Sequence, residues 1–305
     1  MASVPDGVPV WSAQLLVPGA GELCEGPRWD DRTATLLWTD IYGCVVHEAD
    51  SDGTRVASHP TASPTGSFAP RRDGGYVLAV ETGFVLVDQE WEGWNPVGAQ
   101  RSLPSPLRSN DGACDPRGRF LAGTMGHHEE PGAGAVLRLD ARAPNGRLSD
   151  AEVVVEGTTV ANGISWSLDG TTMYFVDSAQ QRVDAFDYDL DTGAASNRRA
   201  LVAVEDGDGF PDGLTVDADG SLWVALWDGG QVRRYDESGR LTGVVVVPVP
   251  RVSSCTFGGP ELRDLFITTA RVGLDSATLA THPDSGRIYR CRPGPAGRPV
   301  ARFAG

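Results

Sequence analysis

The chain repeats one pattern about every 40–50 residues, and this period constrains its fold more than any other feature of the sequence. Each unit reads as a short apolar segment, a polar turn with Asp or Gly, a second apolar segment and a hairpin back. In the first unit the apolar segments are 26–29, 36–40 and 45–49, with polar residues at 30–32 and a turn at Asp52-Gly53. The second has Asp73-Gly74, then 76–80 and 84–87; the third has Arg117-Gly118, then 120–124 and 135–139. The fourth places Asp169-Gly170 before 173–177 and 183–188, and the fifth Asp219-Gly220 before 222–225 and 231–235. The sixth has Arg263-Asp264, then 265–269 and 287–290. A lone sheet of this size cannot bury both faces, so the units must close into a ring. The expectation is all-β: a single six-bladed β-propeller domain over residues 1–305, one four-stranded sheet per blade. Residues 8–17 are strand-like and outside the six copies, and are predicted to complete the last blade and lock the ring. A β-sandwich or two small β domains would not produce this period, and no Pro/Ser linker or charge run divides the chain.

Composition agrees with many short strands and tight turns: Gly 38, Pro 21 and no long amphipathic helical pattern. The net charge of −15 argues against nucleic acid and anionic membrane as partners, since both demand clustered Lys/Arg. No run of about 18 apolar residues suggests a membrane span. Residues 1–10 have no basic residue and no apolar stretch, unlike a secretory signal. Cys24, Cys44, Cys114, Cys255 and Cys291 are scattered without CxxC spacing, which fits reduced thiols. The expectation is a cytoplasmic protein acting on a small molecule; its oligomeric state is not encoded in any motif.

Counting back eight residues from the hairpin glycine gives Asn110 from Gly118, Asn162 from Gly170 and Asp212 from Gly220. The equivalent Thr33 of the first unit gives Glu25, and Gly74 of the second gives Gly66. Each of the four polar residues is followed by Gly within two positions. This position opens the strand that lines a propeller's central channel, so the expectation is one ring of oxygen-bearing side chains. Turn-forming Asn-Gly and Asp-Gly dipeptides could arise by strand initiation alone; four in one phase, with Glu25 among them, favour a site. Two buried carboxylates at close range need a cation. Amide and carboxylate oxygens without thiolate or imidazole suit Ca²⁺ first, then Mg²⁺ or Mn²⁺, with Zn²⁺ less favoured.

The segments Glu25-Gly-Pro-Arg-Trp-Asp, Arg108-Ser-Asn-Asp-Gly, Asn162-Gly-Ile-Ser-Trp-Ser-Leu-Asp-Gly, Pro211-Asp-Gly-Leu and Ser254-Cys-Thr-Phe-Gly-Gly resemble the senescence-marker-protein/gluconolactonase family. The resemblance runs from about residue 20 to 270. It implies a six-bladed propeller, one divalent cation on Glu25, Asn162 and Asp212, and substrate contacts from Arg108 and Asn110. The sequence departs from the family at Ala161, where Pro is usual. In Gly-His-His-Glu-Glu after Met125 the family's substrate-binding acid aligns with either His128 or Glu129; Glu129 is carried as a substrate contact.

The chemistry expected is hydrolysis of a sugar lactone to its aldonic acid. It needs carbonyl polarisation, an attacking water and stabilisation of an oxyanion, which a divalent ion supports. Asp212 is the candidate general base, and Arg108 the planar donor for substrate hydroxyls. His127-His128 reads as a solvated loop, and Asp187, Asp189 and Asp191 as a polar hairpin. Trp11, Trp29, Trp166 and Trp223 read as packing residues. GxSxG, HExxH and GxGxxG after a strand are all missing from the sequence. The rival readings are a calcium-binding or interaction propeller without turnover, and a related metal-dependent esterase or phosphotriesterase.

Overall fold

An acidic residue five positions beyond the channel position shapes each of several hairpins. Asp30 Oδ1 accepts the Arg32 amide at 3.0 Å, and Asp115 Oδ1 those of Arg117 and Arg119 at 2.9 and 2.8 Å. Asp217 Oδ1 does the same for Asp219 and Ser221 at 3.0 and 2.9 Å. Such side-chain bonds substitute for backbone partners where the chain reverses. The structure, a computed structural model, describes residues 3, 6–19, 21–97, 107–140, 148 and 150–305. Met1, Ala2, Val4 and Pro5 of the segment read above as lacking a signal lie outside the described residues.

The expected six blades are present. The first comprises Cys24–Asp30, Thr35–Asp40, Val45–Asp50 and Val56–Pro60; the second Thr65–Pro70, Tyr76–Val80, Gly83–Val87 and Asn95–Val97. The third comprises Leu107–Cys114, Phe120–Gly126, Gly134–Leu139 and Glu152–Thr158, and the fourth Ala161–Trp166, Thr172–Asp177, Arg182–Tyr188 and Ala195–Ala203. Phe210–Val216, Leu222–Trp227, Gln231–Tyr235 and Leu241–Val246 make the fifth. Val252–Gly258, Asp264–Thr269 and Ile288–Cys291 begin the sixth.

The N-terminal stretch differs from expectation. It is not one strand but two, interrupted at Ala13. Gln14–Val17 pairs antiparallel with Ile288–Cys291 and supplies the outer strand of the sixth blade. Val10–Ser12 instead runs parallel to Leu241–Val246 on the fifth. The chain therefore stitches the last two blades together. The sixth hairpin also turns earlier than expected: Leu262 donates to the Gly259 carbonyl at 3.0 Å with a left-handed φ of 54°, and Asp264 already belongs to the next strand. A short helix, Ser276–Thr281, capped by Asp275, interrupts the same blade.

Apolar burial lies between neighbouring blades. Tyr174 and Val176 of the fourth pack with Leu222 and Val224 of the fifth, and Trp223 and Val245 of the fifth with Cys255 and Ile267 of the sixth. Trp29, Trp166 and Trp223 are buried and Trp11 leans on Trp223 at 6.0 Å between ring centroids, so all four serve packing. The Asp189 carboxylate accepts the amides of Asp191 and Thr192, an ordinary hairpin.

The C-terminal residues cross the face opposite the site. Ala296 O accepts from Ala218 of the fifth blade, Gly297 donates to Leu262 of the sixth, and Phe303 O accepts from Arg72 of the second. Arg302 Nη2 bonds Asp30 Oδ1 at 2.8 Å and also meets Asp31. Burial works against charge on Asp30, but hydrogen bonds from Arg32 and Arg302 outweigh it and hold the carboxyl below its usual range. A depressed carboxyl contributes stability that is complete above its unfolded pKa of about 4 and is lost as the pH falls through its lower folded value. Arg302→Met should therefore cost on the order of 2 kcal/mol at neutral pH. In thermal unfolding curves the gap from wild type should narrow below about pH 4; a gap independent of pH would contradict the ionic assignment.

Candidate functional site

In every blade the innermost strand carries a β-bulge at the same height. The pairing slips at 25–28, 65–67, 109–112, 161–164, 211–214 and 252–254. A bulge frees a residue from the ladder and re-aims its side chain. The residues at or beside these six slips are Glu25, Gly66, Asn110, Asn162, Asp212 and Ser253. The count from the hairpin turns thus corresponds to a ring in the fold. The count does not extend to Ser253 in the sixth blade, where the left-handed turn residue is Leu262 rather than the expected Arg263-Asp264. Ser253 is buried, and its hydroxyl donates to the Cys24 carbonyl at 2.6 Å.

A directed chain of hydrogen bonds fixes one side of this ring. Arg108 Nη1 donates to Asn110 Oδ1 at 2.8 Å and Asn110 Nδ2 to Asn162 Oδ1 at 2.7 Å. Asn162 Nδ2 donates to Ser178 Oγ at 2.7 Å, and Ser178 Oγ to the Pro211 carbonyl at 2.7 Å. Asn110 Nδ2 also reaches the Ala161 carbonyl at 2.9 Å, a backbone contact that Ala at the family's proline position preserves. The chain sets the orientation of both amides, leaving Asn162 Oδ1 a lone pair beyond the bond it accepts.

The other side is uncompensated. Glu25 Oε2 and Asp212 Oδ1 are buried without a hydrogen-bond partner. Burial, then the charge of Asp111, pushes the Glu25 carboxyl above its usual range, while Arg108 pulls it back. Burial, then the charges of Glu25 and Asp111, raises Asp212 well above the ordinary carboxylate range. Ionising two such groups side by side is costly unless a cation joins them. Glu25, Asp212 and the Asn162 amide oxygen offer hard oxygen donors that fit a divalent ion on this criterion.

Glu25, Asn162, Asp212, Arg108, Asn110 and Glu129 all line one cavity of about 380 Å³. Glu129 is at the exposed rim, held at a left-handed φ of 55°. His128 is not among the lining residues, and His127 faces Glu81 at 3.2 Å. The walls add residues that carried no sequence signal. Tyr42 and Phe210 are large exposed apolar groups at the mouth, and the Arg108 guanidinium is 5.8 Å from the Tyr42 ring centroid. Arg251 bonds Asp228 at 2.9 Å and covers Trp227 at 4.9 Å. The arrangement offers a charged floor for a reacting carbonyl and aromatic flanks for a ring.

The sequence pattern of the family described as "SMP-30/Gluconolactonase/LRE-like region" matches residues 23–271. Regucalcin of Xenopus laevis is 38% identical over 280 residues, covering 91% of this chain and 93% of that protein. A structure of regucalcin from Agrobacterium tumefaciens, described as a calcium-binding protein, superposes with a TM-score of 0.89 at 28% identity, covering 97% of this chain and 99% of the other. A luciferin-regenerating enzyme superposes with a TM-score of 0.83 at 28% identity over 94% of this chain and 97% of its own. No helix among the described residues is long and apolar enough to cross a membrane.

Proposed function

Because the chain belongs to the SMP-30/gluconolactonase/LRE-like family, we propose that it is a metal-dependent sugar lactonase. The observation that carries this reading is the pair of unpartnered buried oxygens on Glu25 and Asp212 at the floor of the cavity. One divalent cation, calcium first, is held by Glu25, Asn162 and Asp212; when bound it supplies Lewis-acid polarisation of a carbonyl.

The chain's own residues do the rest. Asp212 accepts a proton from the attacking water as its oxygen bonds to the lactone carbonyl carbon. The ring C–O bond then breaks, and the same proton passes from Asp212 to the departing ring oxygen, giving the hydroxy acid. Arg108 stands beside this floor and donates to substrate hydroxyls, while Asn110, whose two amide hydrogens are committed to Ala161 and Asn162, accepts from a hydroxyl through the free lone pair of its Oδ1. Glu129 accepts from a hydroxyl at the rim, while Tyr42 and Phe210 exclude water from the ring face. Cys24, Cys44, Cys114, Cys255 and Cys291 are free thiols, which supports a reducing, cytoplasmic setting.

A second reading is a calcium-binding propeller without turnover; its calcium-binding part is supported by the description of the Agrobacterium relative as a calcium-binding protein. Hydrolysis of aldonolactones by protein stripped of cations and then reloaded separates the two.

A further inference from the structure

Immediately below the ring, the next residues of the six inner strands are Gly26, Ser67, Asp111, Gly163, Gly213 and Ser254. Five are glycine or serine. Asp111 is the one carboxylate in this layer, and it is buried. Its Oδ1 accepts the Gly112 amide at 2.7 Å and lies 3.5 Å from Arg28 Nη2.

Arg28 stands three residues after Glu25 on the first blade. Its Nη1 donates to the Pro27 carbonyl at 2.7 Å, and its Nη2 also donates to the Gly112 carbonyl of the third blade. The guanidinium therefore bridges the first and third blades, which are not neighbours. Gly26, at a left-handed φ of 51°, lies beside this carboxylate: an added Cβ would sit 4.0 Å from Asp111 Oδ1. Neither residue belongs to the proposed ligand set or to the cavity lining. Asp111 nevertheless directly follows Asn110, whose Nδ2 bonds Asn162 Oδ1 at 2.7 Å, and its Oδ1 lies beside Gly26, the residue after Glu25.

We propose that Arg28 and Asp111 are charge-setting residues for the cation centre. Asp111 places a third negative charge behind Glu25 and Asp212, and Arg28 cancels it while holding the carboxylate in place. With Arg108 included, three buried carboxylates face two guanidiniums, so with a cation bound and all three ionised the side chains carry a single surplus negative charge. That surplus attracts a cation in proportion to its charge, and the Arg28 charge limits how far a trivalent ion is favoured over a divalent one. Removing the Arg28 charge deepens the field, and the gain scales with the charge of the ion. Removing the Asp111 charge weakens the field for every cation.

The inference rests on the cation reading of the centre, and its test reads binding rather than turnover. Calcium and lanthanum affinities would be measured by calorimetry at low salt on chelated wild type, Arg28→Met, Arg28→Lys and Asp111→Asn. Arg28→Met should raise the preference for lanthanum over calcium roughly tenfold, and Asp111→Asn should weaken calcium roughly tenfold. Arg28→Lys keeps the charge and should hold the preference within about threefold of wild type. The double variant Arg28→Met with Asp111→Asn should return the preference towards wild type. An unchanged lanthanum-to-calcium ratio in Arg28→Met at a wild-type melting temperature would overturn the proposal. If that variant does not fold, unchanged calcium affinity in Asp111→Asn overturns it equally. A wild-type protein that binds neither ion would overturn the cation centre itself.

Discussion

Asp212→Ala should lower kcat/KM on an aldonolactone by at least about 10³-fold while leaving the thermal unfolding curve close to wild type. General-base catalysis alone is worth on the order of 10²–10⁴, and the same side chain is a proposed cation ligand. The fold should survive, because Asp212 Oδ1 has no hydrogen-bond partner to lose and Ala removes a buried carboxylate whose ionisation is penalised. Asp212→Asn separates the two roles: it keeps an oxygen donor for the ion but accepts no proton. It should bind cation within about tenfold of wild type and still lose roughly 10²-fold or more in rate. Activity of Asp212→Ala within tenfold of wild type would remove Asp212 from the mechanism.

Arg108→Met should cost polyhydroxylated lactones roughly 10²-fold in kcat/KM and a plain butyrolactone no more than about fivefold. A guanidinium discriminates through paired hydrogen bonds, and a lactone without hydroxyls cannot use them. Arg108 also orients Asn110 through the 2.8 Å bond to its Oδ1, and Asn110 in turn meets Asn162. A modest fall in cation affinity is therefore expected, smaller than the loss on the sugar lactone. Parallel rates on both substrates with saturating cation would check this. Equal losses on the two would mean that Arg108 does not read hydroxyls, and an equally large fall in cation affinity would make it a support of the ion's ligands.

The legible part of this molecule is its periodicity. Hairpin turns recur with Asp and Gly at set positions, and eight residues separate Gly118, Gly170 and Gly220 from Asn110, Asn162 and Asp212. Because each blade repeats one bulge, a fixed count in sequence became a fixed height in the channel. The count failed where a blade departs from the template. In the sixth, one extra residue before Leu262 concealed Ser253; the first has the same extra residue before Ala34, and counting from Thr33 still reaches Glu25. The break at Ala13 was hidden because both halves of the N-terminal stretch have the same strand-like composition, and only the neighbouring blade edges distinguish them. Asp111 was visible in Asn110-Asp111-Gly112 but not its isolation among Gly and Ser, which depends on aligning all six bulges. Tyr42, Phe210 and Trp227 meet at the cavity only because the ring closes, and no local pattern links them.

The central claim is that the ion on Glu25, Asn162 and Asp212 and the hydrolysis of a sugar lactone belong to one site. Initial rates on a panel of aldonolactones test it most directly, using chelated protein and then the same protein with Ca²⁺, Mg²⁺, Mn²⁺ or Zn²⁺ restored. The account predicts rates near spontaneous hydrolysis after chelation, recovery by at least one of these ions, and faster turnover of sugar lactones than of butyrolactone. Turnover that persists without cation would contradict the claim, and so would calorimetric binding of calcium with no hydrolysis of any lactone on the panel.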